Sequence, residues 1–326
     1  MKLPRRRFLH LAAAGAALPA VSRFARAQAY PARPVRVIVP YAPGGPSDLF
    51  ARLISQKLSE RLGQQFFVEN IAGAGGNIGM GRAAKSAPDG YAILVAAAPL
   101  VINPTLYGAV AYDPIKDFDP ITLAVASTVL LMVHPSLPAQ TVKDLVALIR
   151  DNPDTYSYAS PGTGTPPHLV GELFRLSLKL DLVHVPFKSG GLAVGSTLAG
   201  HTPVSFGTPP PAVAHVMDGK LRALAVTSNA RSQTLPDVAT MAEAGYPDIV
   251  GESWFGMVAP ATTPREIVGL LNRAIVRIAV LGDVKERLAT LGFEPVATSP
   301  EQFGTRIKSD AETWARVIRA ANIKAE

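Results

Sequence analysis

The sequence predicts a two-lobed α/β protein in which each lobe is a doubly wound, mostly parallel sheet, and three observations carry that expectation. Short β-branched runs alternate with segments of helical period along most of the chain. Glycine- or proline-rich corners separate them, in the order strand, corner, helix. About 300 residues is long for one core and comfortable for two.

Residues 35–40, Val-Arg-Val-Ile-Val-Pro, predict the first strand, stopped by proline and followed by the turn Tyr41-Ala42-Pro43-Gly44-Gly45-Pro46. Ser47 or Asp48 then caps a helix whose apolar positions Leu49, Phe50, Leu53, Ile54 and Leu58 share one face, and Gly63 closes it. Gln65 to Asn70 predicts a second strand, running into Gly73-Ala74-Gly75-Gly76-Asn77 and a second helix. After the turn Pro88-Asp89-Gly90, Tyr91 to Ala98 is apolar throughout, as a parallel strand covered on both faces requires.

Ile121 to Val133 reads as one long β-compatible run, with a helix over Val142 to Arg150. A new series starts at the strand Tyr156 to Ser160, with the corner Pro161-Gly162-Thr163-Gly164-Thr165. It continues through the strand Leu182 to Phe187, the loop Lys188-Ser189-Gly190-Gly191, a helix to Leu198, the strand Pro203 to Phe206, the turn Thr208-Pro209-Pro210-Pro211, a helix to Met217 and the strand Leu221 to Thr227. Trp254 to Ala259 predicts a strand returning to the first lobe, which helices near 264–281, 284–291 and 300–321 complete. The expected division is 28–125 plus 253–326 for one lobe and 126–252 for the other, with two crossings between them, the connectivity of a hinge.

The first 27 residues stand apart. Arg5-Arg6-Arg7-Phe8-Leu9, an Ala/Gly/Leu stretch to Val21, and Ala25-Arg26-Ala27 before Gln28 are the basic start, short apolar middle and small-x-small site of an export leader. Arg5-Arg6 ahead of Phe8-Leu9 fits the twin-arginine route, with an ordinary leader as the alternative. Lys2, Arg5, Arg6, Arg7, Arg23 and Arg26 are six of the 32 basic residues and no acid accompanies them, so 26 basic residues face 25 acidic ones in the remainder. The basic character of the whole chain therefore belongs mostly to the leader and argues for no nucleic-acid partner. There is no cysteine, which excludes thiolate catalysis and Cys-ligated metal. After Gln28 no apolar run approaches the ~20 residues of a membrane span.

The corners at 43–48, 73–77, 161–165 and 188–191 carry the functional expectation. In open α/β sheets ligands sit beyond the carboxyl ends of the strands, where helix N-termini present unpaired N–H groups and a positive dipole end, so such corners suit an anion. Glycine lets the backbone approach and aim its N–H groups, while Ser47, Thr163 and Thr165 add hydroxyls. Gly73-Ala74-Gly75 with Gly79 does not make a dinucleotide fingerprint, because it follows the second strand and the next strand ends without an acid. No Gly-Lys-Ser/Thr, Gly-x-Ser-x-Gly or His-Glu-x-x-His occurs, and the histidines at 134, 168, 184, 201 and 215 are dispersed. His168 suits packing at a helix start more than ligand contact. Asp48 suits helix stabilisation and ligand contact equally well. Trp254 and Phe255 suit core or hinge packing more than a stacking platform, and Tyr41 and Phe206, at strand ends, could wall a pocket.

Several strings taken together resemble the periplasmic solute-binding proteins of tripartite tricarboxylate transporters, the Bug family. They are Tyr30-Pro31 with Arg33-Pro34-Val35; Val39-Pro40-Tyr41-Ala42-Pro43-Gly44-Gly45 with Asp48; Val68-Glu69-Asn70 with Gly73-Ala74-Gly75-Gly76; and Pro88-Asp89-Gly90-Tyr91. Asn103-Pro104 with Leu106-Tyr107, His184-Val185-Pro186-Phe187-Lys188, 219–226, Leu235-Pro236-Asp237-Val238 and Glu243-Ala244-Gly245-Tyr246 continue the series over nearly the whole chain. The resemblance implies a type II periplasmic binding protein, not an enzyme, that closes over a small mono- or dicarboxylate without a cofactor and hands it to membrane transporter subunits. A periplasmic sensor for a signalling receptor and a periplasmic enzyme are the alternatives.

The resemblance also implies the site. Tyr41, Pro43, Gly44, Gly45, Ser47, Asp48, Gly73, Ala74, Gly75, Gly76, Asn77 and Ala98 would grip one carboxylate from the first lobe. Gly162, Thr163, Gly164, Thr165, Phe206 and Thr208 would receive the other end from the second. Ser189 to Ser196 and the rigid Thr208 to Pro211 depart from the family's usual pattern, so specificity at that far end is the open question.

Overall fold

The computed structural model describes residues 30–325, and the leader expected over 1–27 lies outside the described residues. Two sheets form. The first contains β1 (Val35–Val39), β2 (Phe66–Asn70), β3 (Ala92–Ala97), β4 (Phe118–Thr128), β10 (Glu252–Pro260) and β11 (Glu294–Pro295), in the order β11-β4-β10-β3-β1-β2. The second contains β5 (Leu130–Val133), β6 (Ser157–Ser160), β7 (Val183–Pro186), β8 (Val204–Gly207) and β9 (Arg222–Val226), in the order β7-β6-β8-β5-β9.

The ladders give β1, β2, β3 and β4 one direction, against β10 and β11. In the second sheet β5 alone opposes the other four. Each sheet is thus mixed: β1, β2 and β3 pair in parallel in the first and β6, β7 and β8 in the second, while the pairings made by β4, β5, β9, β10 and β11 are antiparallel. The two-lobed α/β expectation holds.

Helices connect the strands: α1 (Pro46–Leu62), α2 (Asn77–Ala84), α3 (Pro99–Leu106), α4 (Val142–Asp151), α5 (Pro166–Leu178), α6 (Gly190–Leu198), α7 (Val213–Met217), α8 (Arg265–Ala279), α9 (Gly282–Thr290) and α10 (Pro300–Ala320). Their starts follow local chemistry. Thr141 Oγ1 accepts from Asp144 N at 3.1 Å while Asp144 Oδ2 accepts from Thr141 N at 2.9 Å, a reciprocal cap on α4. Thr141→Ala should cost about 1 kcal/mol in urea unfolding, with Asp144→Ala not fully additive to it because the two side chains share the cap.

Three differences from the sequence expectation have physical causes. The long run over 121–133 is two strands in different sheets, because the chain leaves the first sheet after Thr128 and enters the second at Leu130. The glycines of the 188–191 loop lie in the first turn of α6, which Ser189 caps by accepting from Leu192 N at 3.3 Å. α3 was not anticipated, since Pro104 sits inside it.

The two crossings between lobes are stitched to each other. Thr227 N donates to Val129 O at 2.9 Å and to Thr128 Oγ1 at 3.1 Å, its hydroxyl donates to Gly251 O, and Gly251 N returns to Thr227 O at 3.1 Å. Gly251 has no room for a side chain: a Cβ there would lie 2.9 Å from Trp314 Cη2 and closer still to Val170 of α5. Behind the crossings Arg306 of α10 bridges Glu252 at 2.8 Å and Asp310 at 2.7 Å, and Asp310 also accepts from Trp254 Nε1 at 2.9 Å.

Candidate functional site

Beyond the carboxyl ends of β1, β3 and β4, and against the second lobe, lies a cavity of about 470 Å³. Tyr41, Gly45, Pro46, Ser47, Ala97, Ala98, Pro99, Ser127, Ser253, Trp254, Phe255, Leu291 and Phe293 line it from the first lobe, and Pro166 and Thr208 from the second. A larger groove of about 1260 Å³ runs along α8 and α10 on the flank of the first lobe. It is bordered by charged side chains such as Arg265, Arg273, Glu301 and Lys308 and by none of the expected site residues, so the interlobe cavity is the better candidate.

Three helices begin at this cavity, and each begins with proline: Gly45 precedes Pro46 of α1, Ala98 precedes Pro99 of α3, and Thr165 precedes Pro166 of α5. Proline fits a first helical position because its missing N–H would have had no partner there. The positive ends of three helix dipoles therefore converge on one space. In α1 the Asp48 and Leu49 amides both return to Gly45 O at 3.0 Å, so Ser47, which lines the cavity, carries the remaining first-turn donor.

The lining residues include no Asp, Glu, Lys, Arg or His. They do include two side-chain hydroxyls, Tyr41 Oη and Ser127 Oγ, that are buried without a hydrogen-bond partner among the described residues. Burial, with Tyr107 nearby, holds the Tyr41 hydroxyl well above the ordinary tyrosine range, so it stays a neutral donor. Ser253 lies opposite Ser127 in the β4–β10 ladder, and Phe255, two residues on from Ser253, stacks at a 4.6 Å ring separation on Phe293.

The expected site residues divide. Tyr41, Gly45, Ser47, Ala98 and Thr208 line the cavity. Pro43 and Gly44 form the exposed tip of their loop. Gly76 packs flat beside the Tyr41 ring, where a Cβ would come within 3.1 Å of Cε1, so the 73–77 corner stands directly behind one wall. In that corner Gly75 O accepts from Asn103 Nδ2 at 3.0 Å, Asn77 Oδ1 accepts from the same amide at 2.8 Å, and Gly76 N donates to Gly73 O at 2.9 Å. Gly73 and Ala74 complete the turn with positive φ angles of 135° and 48°.

Asp48 is a brace. Its buried carboxylate accepts from Gly44 N at 3.0 Å, Arg52 Nε at 2.9 Å and Asn70 Nδ2 at 2.9 Å, and Asn70 also reaches Tyr41 O at 3.1 Å. These bonds tie the loop after β1 to the end of β2, and they engage the carboxylate in the fold.

In the second lobe the expectation needs correcting. Phe206 is fully buried, edge-on to Tyr158 at 5.4 Å and against Phe174 at 5.6 Å, so it belongs to the core and not to a pocket wall. The 162–165 corner keeps its amides at home: Gly162 N donates to Ser160 Oγ at 3.3 Å, Gly164 N to His168 Nδ1 at 2.9 Å, and Thr165 N to Gly162 O at 3.3 Å. Thr165 Oγ1 likewise donates to Gly162 O at 2.7 Å. Gly164 meets the first lobe edge to edge, since a Cβ there would be 2.6 Å from Leu106 Cδ2. Thr163 borders a smaller depression with His168, Glu172 and His184.

Sequence reasoning missed Ser127, Ser253, Leu291 and Phe293 and favoured packing over a ligand platform for Trp254 and Phe255. The latter two are buried and line the cavity as well. Proline directly after a helix-capping Gly, Ala or Thr was a legible signal for Pro46, Pro99 and Pro166. Leu291 and Phe293 arrive from a turn far along the chain and carry no local signal.

The model of the tripartite tricarboxylate transporter family receptor matches residues 50–323. BugT of Bordetella pertussis is 36% identical over 318 residues, covering 97% of this chain and 96% of BugT. Among solved structures, R. palustris Rpa4515 with adipate is 32% identical with a TM-score of 0.72, covering 90% of this chain and 99% of the other. MatC from Rhodopseudomonas palustris with bound malate is 32% identical with a TM-score of 0.67, covering 89% and 100%. Among the described residues no helix is long and apolar enough to cross a membrane, and no three His, Cys, Asp or Glu side chains gather as a metal site would require.

Proposed function

Because this chain belongs to the tripartite tricarboxylate transporter family of receptors, we propose that it captures a small organic carboxylate in the interlobe cavity and delivers it, in the periplasm, to a membrane transporter. One observation carries the ligand class: three proline-started helix N-termini meet at a cavity that holds unpartnered hydroxyls and no charged side chain. Dipole ends, the Ser47 amide and neutral hydroxyls stabilise an anion there without a counter-ion. The adipate and malate held by two relatives are acids of the same kind.

The lining offers no imidazole or carboxylate to move a proton, which favours capture without turnover. Closure follows from differential contact. A ligand held by the α1 and α3 ends in one lobe and by Pro166 and Thr208 in the other binds the closed form better than the open one. The paired crossings at Thr128–Leu130 and Thr227–Gly251 are the proposed hinge, a few residues from the expected boundaries between 28–125 plus 253–326 and 126–252, and export through the twin-arginine route delivers the folded chain.

Thermal-shift screening of aliphatic and aromatic acids tests the reading. A bound acid at ten times its Kd should add about 1.4 kcal/mol to the unfolding free energy, seen as a raised melting temperature. A broad panel of acids that moves the melting temperature nowhere would sink it.

A further inference from the structure

The cavity is as informative at its far wall as at its helix ends. Phe255, Phe293, Leu291 and Trp254 make that wall, and nothing cationic stands among the lining residues of either lobe. Ser127 lines the same space; it is 3% exposed, and its hydroxyl is buried without a partner among the described residues. A buried hydroxyl without a partner is uncommon in a folded protein and calls for an explanation, a ligand atom among them. Its position opposite Ser253 and two rungs from Phe255, on the same face of the sheet, sets it on the aromatic side of the cavity.

Resting on the reading that the cavity holds a carboxylate, we propose that its occupant has a single carboxylate and an apolar body, and that Ser127 meets one uncharged polar atom on that body. The physical argument is desolvation. One carboxylate is received by helix ends and amides, but a second at the far wall would leave water for aromatic faces and the neutral hydroxyls of Ser127 and Ser253. An ionised carboxylate so placed has neither a counter-charge nor enough donors, and its burial is strongly unfavourable. A methyl or ring edge at the same place gains from leaving water. A hydroxyl, ether or carbonyl oxygen there completes Ser127. The cavity thereby selects against the dicarboxylates that its relatives hold.

Two matched series of acids read this directly by titration calorimetry on the mature chain. In the first, hexanoate, 6-hydroxyhexanoate and adipate share length and differ only at the far end; in the second, 4-methylbenzoate, 4-hydroxybenzoate and terephthalate do the same on a ring. In whichever series binds, the two monoacids should bind about tenfold or more tightly than the diacid, a difference of about 1.4 kcal/mol or more. Ser127→Ala should weaken the hydroxy acid several-fold and leave the methyl-ended acid unchanged. Leu291→Arg, at the half-buried rim, should raise the affinity for the diacid relative to the monoacid by laying a guanidinium along the wall.

A diacid that binds as tightly as its monoacid, or tighter, overturns the inference and leaves the carboxylate-receptor reading intact. Equal losses of both monoacids in Ser127→Ala, or no loss of either, overturn the role of Ser127. An unmoved diacid:monoacid ratio in Leu291→Arg, in a variant that melts like the parent, overturns the assignment of the far wall. Silence from all six acids overturns both this inference and the function on which it rests.

Discussion

Asp48→Ala should lower the unfolding free energy by about 3 kcal/mol, because it removes the buried acceptor on which three donors converge. The Gly44 amide, the Arg52 guanidinium and the Asn70 amide all donate to this one carboxylate. Arg52 is half exposed and its charge is screened, so most of the loss comes from the part-buried hydrogen bonds from Gly44 and Asn70. Ligand affinity should fall as well, since the loop that Asp48 braces carries Tyr41, Gly45 and Ser47 to the cavity. Burial pushes the Asp48 carboxyl up, but the hydrogen bonds from Arg52, Gly44 and Asn70 outweigh it and hold the group below the ordinary aspartate range. The folded value being depressed, this stabilisation is complete above the unfolded value of about 3.9 and is lost as pH falls through the folded one. Urea unfolding of Asp48→Ala and Asp48→Asn at neutral pH, with acid titrations of each, measures both effects. A loss under about 1 kcal/mol in Asp48→Ala would contradict the bracing role.

How much of this was readable in advance depends on how local the cause is. The strands at Val35–Val39 and Ala92–Ala97 announce themselves by β-branched or wholly apolar composition, and α1 by its apolar face and its closing Gly63. The corner after β1 was legible because Pro43 to Pro46 must turn the chain before a helix. What one strand cannot reveal is which of its two faces meets a cavity. Along β8 Phe206 and Val204 point one way and Ser205 the other, and only packing against Tyr158 and Phe174 assigns Phe206 to the core. The far wall is non-local throughout, for Ser127, Phe255 and Phe293 come from three segments that meet through antiparallel pairings. The break at Val129 is likewise invisible in an unbroken apolar run, because it is fixed by Thr227 and Thr128 bonding across the two crossings.

Acidification should destabilise the protein well above the pH at which carboxylates titrate, and His168→Asn should remove most of that sensitivity. His168 is buried in α5, its ring lies 3.8 Å from that of His184, and its Nδ1 accepts from Gly164 N. An accepting Nδ1 means a neutral ring with its proton on Nε2. Burial first, then His184 and Arg175, lower the pKa of His168 from 6.5 to about 3. Glu172 is held by Arg175 through two hydrogen bonds of 2.9 and 2.7 Å and receives the Tyr158 hydroxyl at 2.7 Å, so its charge is already engaged. The folded value is depressed, so the full stabilisation is present above the unfolded value. As pH falls below 6.5 the unfolded chain takes up a proton that the folded chain refuses, at about 1.4 kcal/mol per pH unit, until the folded ring itself protonates near 3. Between pH 6.5 and 4.5 that amounts to about 2 kcal/mol. Asparagine places an acceptor near the position of Nδ1 and does not titrate, so it should keep the Gly164 bond and flatten the slope in this window. If the parent and His168→Asn lose stability in parallel between pH 6.5 and 4.5, measured by urea unfolding at each pH, the neutral ring is not what holds the 162–165 corner in place.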